Sequence, residues 1–183
     1  MTERRDMSHR LRITPGETLE VIEREPTVLV LEAGYAPRGS APPAHYHPRQ
    51  DEHFEILEGT LRIEVAGVER DLKAGETLDI PRGTSHRMWN PGAHPVRARW
   101  ETRPPGRTEE WFTALAGLQG TRAVDASGRP KLLPFAALAH EYRDTFRLAA
   151  GPGPATQIAV RALALAAKVT GRTPKRPPAT SAR

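Results

Sequence analysis

Four side chains able to hold a transition metal fall within 42 residues of one another: His45, His47, Glu52 and His86. On an extended strand, residues two apart project to the same face, so His45 and His47 point together and Tyr46 points away. A turn through Pro48, Arg49 and Gln50 returns the chain and brings Glu52 back beside them. Two imidazoles and a carboxylate that converge form a usual ligand set for a first-row transition metal, and His86 supplies a fourth donor. The set has nitrogen and oxygen donors and no sulfur, which suits Fe(II), Mn(II), Ni(II), Co(II) or Zn(II) without choosing among them. Four protein ligands leave up to two positions of an octahedral ion open, enough to polarise a carbonyl or enolate or to activate dioxygen. No separate general acid or base can be named, and no cofactor-binding residues beyond the metal ligands are assigned.

The elements that must position these groups are short strands. Glu17–Arg24, Thr27–Leu31, the His45–His47 segment, His53–Glu58, Leu61–Val65, Val68–Leu72, Thr77–Ile80, Ser85–Trp89 and Val96–Thr102 are β-rich or alternating runs. Glycine and proline punctuate them, with a loop over Gly34–Pro43, a hairpin expected about Gly59, and turns at Ala66–Gly67 and Ala74–Gly75. Many short strands separated by turns predict a sandwich or barrel.

Two stretches carry a family resemblance. Gly39, His45, His47, Glu52 and Gly59 are similar in type and spacing to the first cupin motif. Gly75, Pro81, Gly83, His86 and Asn90 resemble the second, with 15 residues between Gly59 and Gly75. The resemblance implies a mainly β fold, a double-stranded β-helix or jelly-roll cupin barrel. It also implies one divalent metal held by His45, His47, Glu52 and His86. The activities it implies are dioxygenases, isomerases, lyases and decarboxylases, along with non-catalytic binders, because fold alone does not select among them. A small-molecule oxygenase is the first expectation, an isomerase or lyase the second, and a ligand-binding sensor the alternative from another class. A metal-free storage-type barrel is disfavoured by the intact ligand set.

Alternation places Phe54 and Ile56 on the face of Glu52 and Met88 on the face of His86, so they are candidate lining of a substrate pocket. Trp100 is a further candidate; Arg97 and Arg99 occupy its opposite face, so only one set can look inward. His53 follows Glu52 and faces away from the metal. Gly59, Gly75, Pro81, Gly83 and Asn90 read as turn and backbone residues.

The character of the chain changes after Pro105. Three helices are expected over Thr108–Leu118, Leu133–Leu148 and Pro154–Thr170, packed on the barrel or on a partner subunit. In the last, Gln157, Arg161, Lys168 and Arg172 fall near one stripe and most of the rest is apolar. It is expected to bury its apolar side against protein; lying on a membrane surface is the alternative. The domain expectation is an N-terminal arm (1–16), a barrel (17–104), a helical extension (105–172) and a disordered basic tail (173–183).

With 183 residues, one domain with a sizeable core is expected, and the absence of cysteine rules out disulfides and thiolate metal sites. The net charge of +5 sits in the ends: +2 over residues 1–12 and +4 over residues 172–183, leaving the folded part near neutral. A nucleic-acid-binding fold would carry its basic face on the fold itself, so no nucleic-acid partner is expected. No apolar stretch is long enough for a signal segment or a spanning helix, and a cytoplasmic protein is expected. The expected partners are a small-molecule ligand or substrate and a second copy of the chain, as a homodimer covering exposed sheet edges.

Overall fold

A computed structural model describes residues 10–151 and 154–174. The barrel consists of two antiparallel sheets. Its strands are β1 (Arg10–Thr14), β2 (Glu17–Arg24), β3 (Leu29–Tyr35), β4 (His45–Tyr46), β5 (Asp51–Glu58), β6 (Thr60–Val65), β7 (Val68–Lys73), β8 (Thr77–Ile80), β9 (His86–Trp89) and β10 (Val96–Arg103). Helix α1 (Thr108–Ala116) and helix α2 (Leu132–Glu141) follow, then a short strand β11 (Arg147–Leu148) and helix α3 (Ala155–Val169). One sheet has the order β1-β2-β3-β10-β5-β8, and the other β11-β4-β9-β6-β7. The sheet begins at Arg10, earlier than the expected barrel start at 17. Residues 1–9 of the expected arm and 175–183 of the expected tail lie outside the described residues, as does His9.

Period-two alternation builds the core between the sheets. Leu19 and Val21, Leu31 and Ala33, Phe54 and Ile56, Leu61 and Ile63, and Ala98 and Trp100 are buried in their strands, while their neighbours are more exposed. On β10 this settles the choice between tryptophan and arginine. Trp100 looks inward, and Arg97 and Arg99 pair with Glu32 and Glu101 outside.

Three expectations are corrected. The hairpin about Gly59 is not formed: β5 pairs with β10 and β8, whereas β6 pairs with β9 and β7 in the other sheet. Gly59 is a corner where the chain changes sheets. Its φ of 82° and a Cβ position 2.7 Å from the Pro95 carbonyl oxygen explain why glycine stands there. The strand expected over Thr27–Leu31 runs instead to Tyr35, through Gly34. The Thr18 hydroxyl crosses 2.8 Å from where a Cβ of Gly34 would lie, so this glycine permits close strand approach rather than opening a loop. The helix expected over Leu133–Leu148 stops at Glu141. The turn after it, with the Thr145 and Phe146 N–H groups on the Tyr142 carbonyl, leads into β11, which pairs with β4. Apolar residues at helical spacing include Phe146, yet it reaches the core through this turn.

The extension joins the barrel through apolar packing. α1 lies against β1 and α2 against α3. Trp111, Leu138, Tyr142 and Phe146 share a continuous core with the strand residues.

Candidate metal centre

His45 lies opposite His86 in the β4–β9 pairing, and Glu52 comes from β5 in the other sheet. The site therefore sits between the sheets. One nitrogen each from His45, His47 and His86 lies within 4.8 Å of the other two. Glu52 closes two sides: Oε1 is 3.2 Å from His47 Nε2, and Oε2 is 3.0 Å from His86 Nε2. His47, Glu52 and His86 are buried; His45 is partly so.

The ring orientations follow from the backbone. His47 Nδ1 donates to the Thr145 carbonyl at 2.7 Å and His86 Nδ1 to the Thr84 carbonyl at 3.0 Å; His45 Nδ1 makes a longer contact of 3.4 Å with the Pro43 carbonyl. A carbonyl only accepts, so each neutral ring carries its proton on Nδ1 and turns an Nε2 lone pair to the interior. At His47 and His86 that lone pair faces a carboxylate oxygen, an acceptor against an acceptor. Glu52 Oε2 is buried without a hydrogen-bond partner. A cation between them relieves this opposition, so the donor set fits a divalent metal.

The proton affinities follow the same logic. Burial lowers His45 well below the ordinary histidine value, and the nearby His86 and His47 lower it further. Burial also lowers His47, partly offset by Glu52. His86 is raised, because Glu52 outweighs the opposing burial. Glu52 is lowered despite burial by His47 and His86, with the Trp100 indole adding a smaller contribution in the same direction. Lowered in this way, His45 and His47 compete weakly for protons, which suits them as candidate metal donors.

The candidate pocket residues divide. Phe54, Ile56 and Trp100 are buried; Phe54 stacks on Trp100 at 5.7 Å, and Phe112 from α1 meets Trp100 edge-on at 5.3 Å. Met88 is half-buried beside that core. His53 points away from Glu52, 2.7 Å from Asp79. Asn90 binds backbone, donating to the Tyr35 and His94 carbonyls and accepting from Gly92 N–H.

Sequence reasoning did not find the extension at the centre. Phe146 stacks on His45 at 4.8 Å, and Trp111 stacks on Phe146 at 4.5 Å. Thr145 supplies the carbonyl that orients His47, and Leu148 lies opposite His45 in the β11–β4 pairing. The available signal was the aromatic spacing Phe135, Tyr142 and Phe146, which does not say what the rings touch. Glu17, half-buried at the start of β2, was also missed. It lies opposite Tyr35 in the β2–β3 pairing, and burial pushes it up to about 7.

This is a two-sheet β-barrel with a three-histidine, one-carboxylate cluster between its sheets. Residues 31–100 match the cupin domain family, which supports membership of the cupin superfamily. It is 36% identical over 66 residues to the tetracenomycin polyketide synthase protein TcmJ of Streptomyces glaucescens, covering 36% of this chain and 44% of that protein. It is 38% identical over 66 residues to oxalate oxidase 1 of Hordeum vulgare, covering 32% of each. The matched stretch thus spans less than half the length of these relatives. An RmlC-like cupin from Shewanella frigidimarina NCIMB 400 shares the fold, with a TM-score of 0.51 and 17% identity over 56% of this chain and 89% of that one.

Proposed function

We propose that the protein is a metal-dependent enzyme acting on a small molecule, an oxygenase or oxidase first and an isomerase or lyase second. His45, His47, Glu52 and His86 would hold one divalent transition metal. The observation that carries this reading is the convergence of nitrogens from His45, His47 and His86, within 4.8 Å of one another, beside the buried Glu52 carboxylate. The local similarity to oxalate oxidase gives the oxidative reading its place ahead of the others.

A bound metal would supply Lewis acidity and, if redox-active, electrons for oxygen chemistry. The chain's own residues do the positioning. Backbone carbonyls of Thr84 and Thr145 orient two imidazoles. Phe146 stacks on one face of His45. Phe54 and Trp100 pack as buried apolar rings on the inner side of the barrel, an apolar surround suited to a small organic ligand rather than a polyphosphate.

Elemental analysis of untagged protein, purified without chelator, tests the reading. Near-stoichiometric iron or manganese is expected, followed by substrate-dependent oxygen uptake in a screen of oxalate, catechols, diketones and thiols. Bound nickel, cobalt or zinc without oxygen uptake moves the assignment to isomerase or lyase chemistry. No metal after reconstitution overturns it, and tight ligand binding without turnover would make the protein a sensor.

A further inference from the structure

Helix α3 buries only one side. Val160, Ala164 and Ala167 face the protein. Ile158, Leu165 and Val169 stay 64%, 58% and 88% exposed, and with Ala162 they keep the i, i+4, i+7, i+11 spacing of a single helical stripe. Arg161 and Lys168 sit one position before Ala162 and Val169, so two cations border one side of the apolar stripe, and Arg172 follows just past the helix end. From Thr145 to Arg183 the chain has seven arginines and lysines and no acidic residue.

On that cationic side lies a groove of about 460 Å³ between α2 and α3. His140, Arg143, Arg147 and Arg161 line it together with Ile158, and no acidic side chain does. Arg143 and Arg147 use one donor group each on the carbonyls of His140 and Arg143, and their remaining donors are available to the groove. Ile158 and Arg161 belong both to the groove and to the exposed face, so the two features form one surface.

We propose that this surface docks on an anionic lipid bilayer, with Ile158, Leu165 and Val169 entering the acyl boundary and lipid phosphates seated against Arg161 and the groove. An aliphatic stripe bordered by cations matches the layering of a membrane interface, where acyl chains lie directly beneath anionic headgroups. A second copy of the chain fits less well, because pairing through this face would set Arg161 and Lys168 beside like charges with no acid on α3 to answer them. A protein partner would favour aromatic anchors, and the stripe has none.

The experiment is co-sedimentation of the full chain with vesicles of phosphatidylcholine alone or mixed with phosphatidylglycerol, at low and high salt. Binding is expected to the mixed vesicles only and to weaken with salt. Leu165→Glu should reduce it roughly tenfold or more, and Arg161→Ser or Arg143→Ser about fivefold each. These side chains are exposed, so unchanged circular dichroism and metal content serve as folding controls. No binding, equal binding to both vesicle types, or full binding by Leu165→Glu would overturn the proposal. So would calorimetric binding of inorganic phosphate without vesicle binding, which would make the groove a free-anion site. Self-association abolished by Leu165→Glu, without vesicle binding, would instead identify the face as a contact between copies.

Discussion

The barrel and the C-terminal extension contribute to the same centre in opposite ways. The barrel supplies the candidate donor atoms: His45, Glu52 and His86 lie on β4, β5 and β9, and His47 follows directly after β4. The extension supplies no donor atom. It gives the Thr145 carbonyl that turns His47 and the Phe146 ring that covers His45. A metal centre built on a barrel can therefore depend on residues 98 positions away in sequence. Groups that make chemistry and groups that aim them need not share a motif.

The sharpest test of the comparison is between two histidines on the same barrel. His47→Ala should lower metal occupancy or affinity at least tenfold, because it removes a donor, while His53→Ala should leave it unchanged. Equal loss in elemental analysis would break the facing argument. Phe146→Ala tests the extension. Emptying its place between His45 and Trp111 should cost about 3–5 kcal/mol in denaturant unfolding. It should also weaken metal binding roughly tenfold, with Phe146→Leu restoring most of both. Unchanged metal affinity would reduce the extension to packing alone.

Glu17 probes the barrel by pH. Its folded value of about 7 lies above the ordinary 4.5, so the native state holds a proton that the unfolded chain releases. Its contribution to stability is complete below 4.5 and is lost as pH rises through about 7. Glu17→Gln should therefore flatten the fall in stability across that window; an unchanged profile in pH-dependent unfolding would contradict the burial argument. The smallest effect is expected where barrel and extension meet in solvent. The Arg24–Glu109 pair is 2.6 Å apart with Arg24 half exposed, so Arg24→Ala should cost under about 1 kcal/mol. A larger loss would mean that polar contacts, not the Trp111 and Phe146 packing, hold the extension in place.

The clustering of His45, His47, Glu52 and His86 was legible from their spacing, and the structure brings them together. The strand behind the His45–His47 reading ends at Tyr46, with His47 just beyond it. Helix positions were legible from composition, but their ends were not. Phe146 continues the helical spacing of Leu138 and Tyr142, yet the helix ends at Glu141, because pairing of β11 with β4 outweighs one more turn of helix. Gly59 reads equally well as a hairpin turn or a change of sheet. Only the pairing partners of β5 and β6 separate the two.

What the sequence by itself determined is the set of candidate donors, the inward face of most strands and the presence of a helical extension. Each depends on short-range periodicity and residue type. The tertiary structure alone decided which sheet each strand joins, that Trp100 rather than Arg99 looks inward, and that Thr145 and Phe146 pack against His47 and His45. Those outcomes depend on contacts between residues far apart in the chain, where burial and hydrogen-bond satisfaction are settled for the whole fold at once.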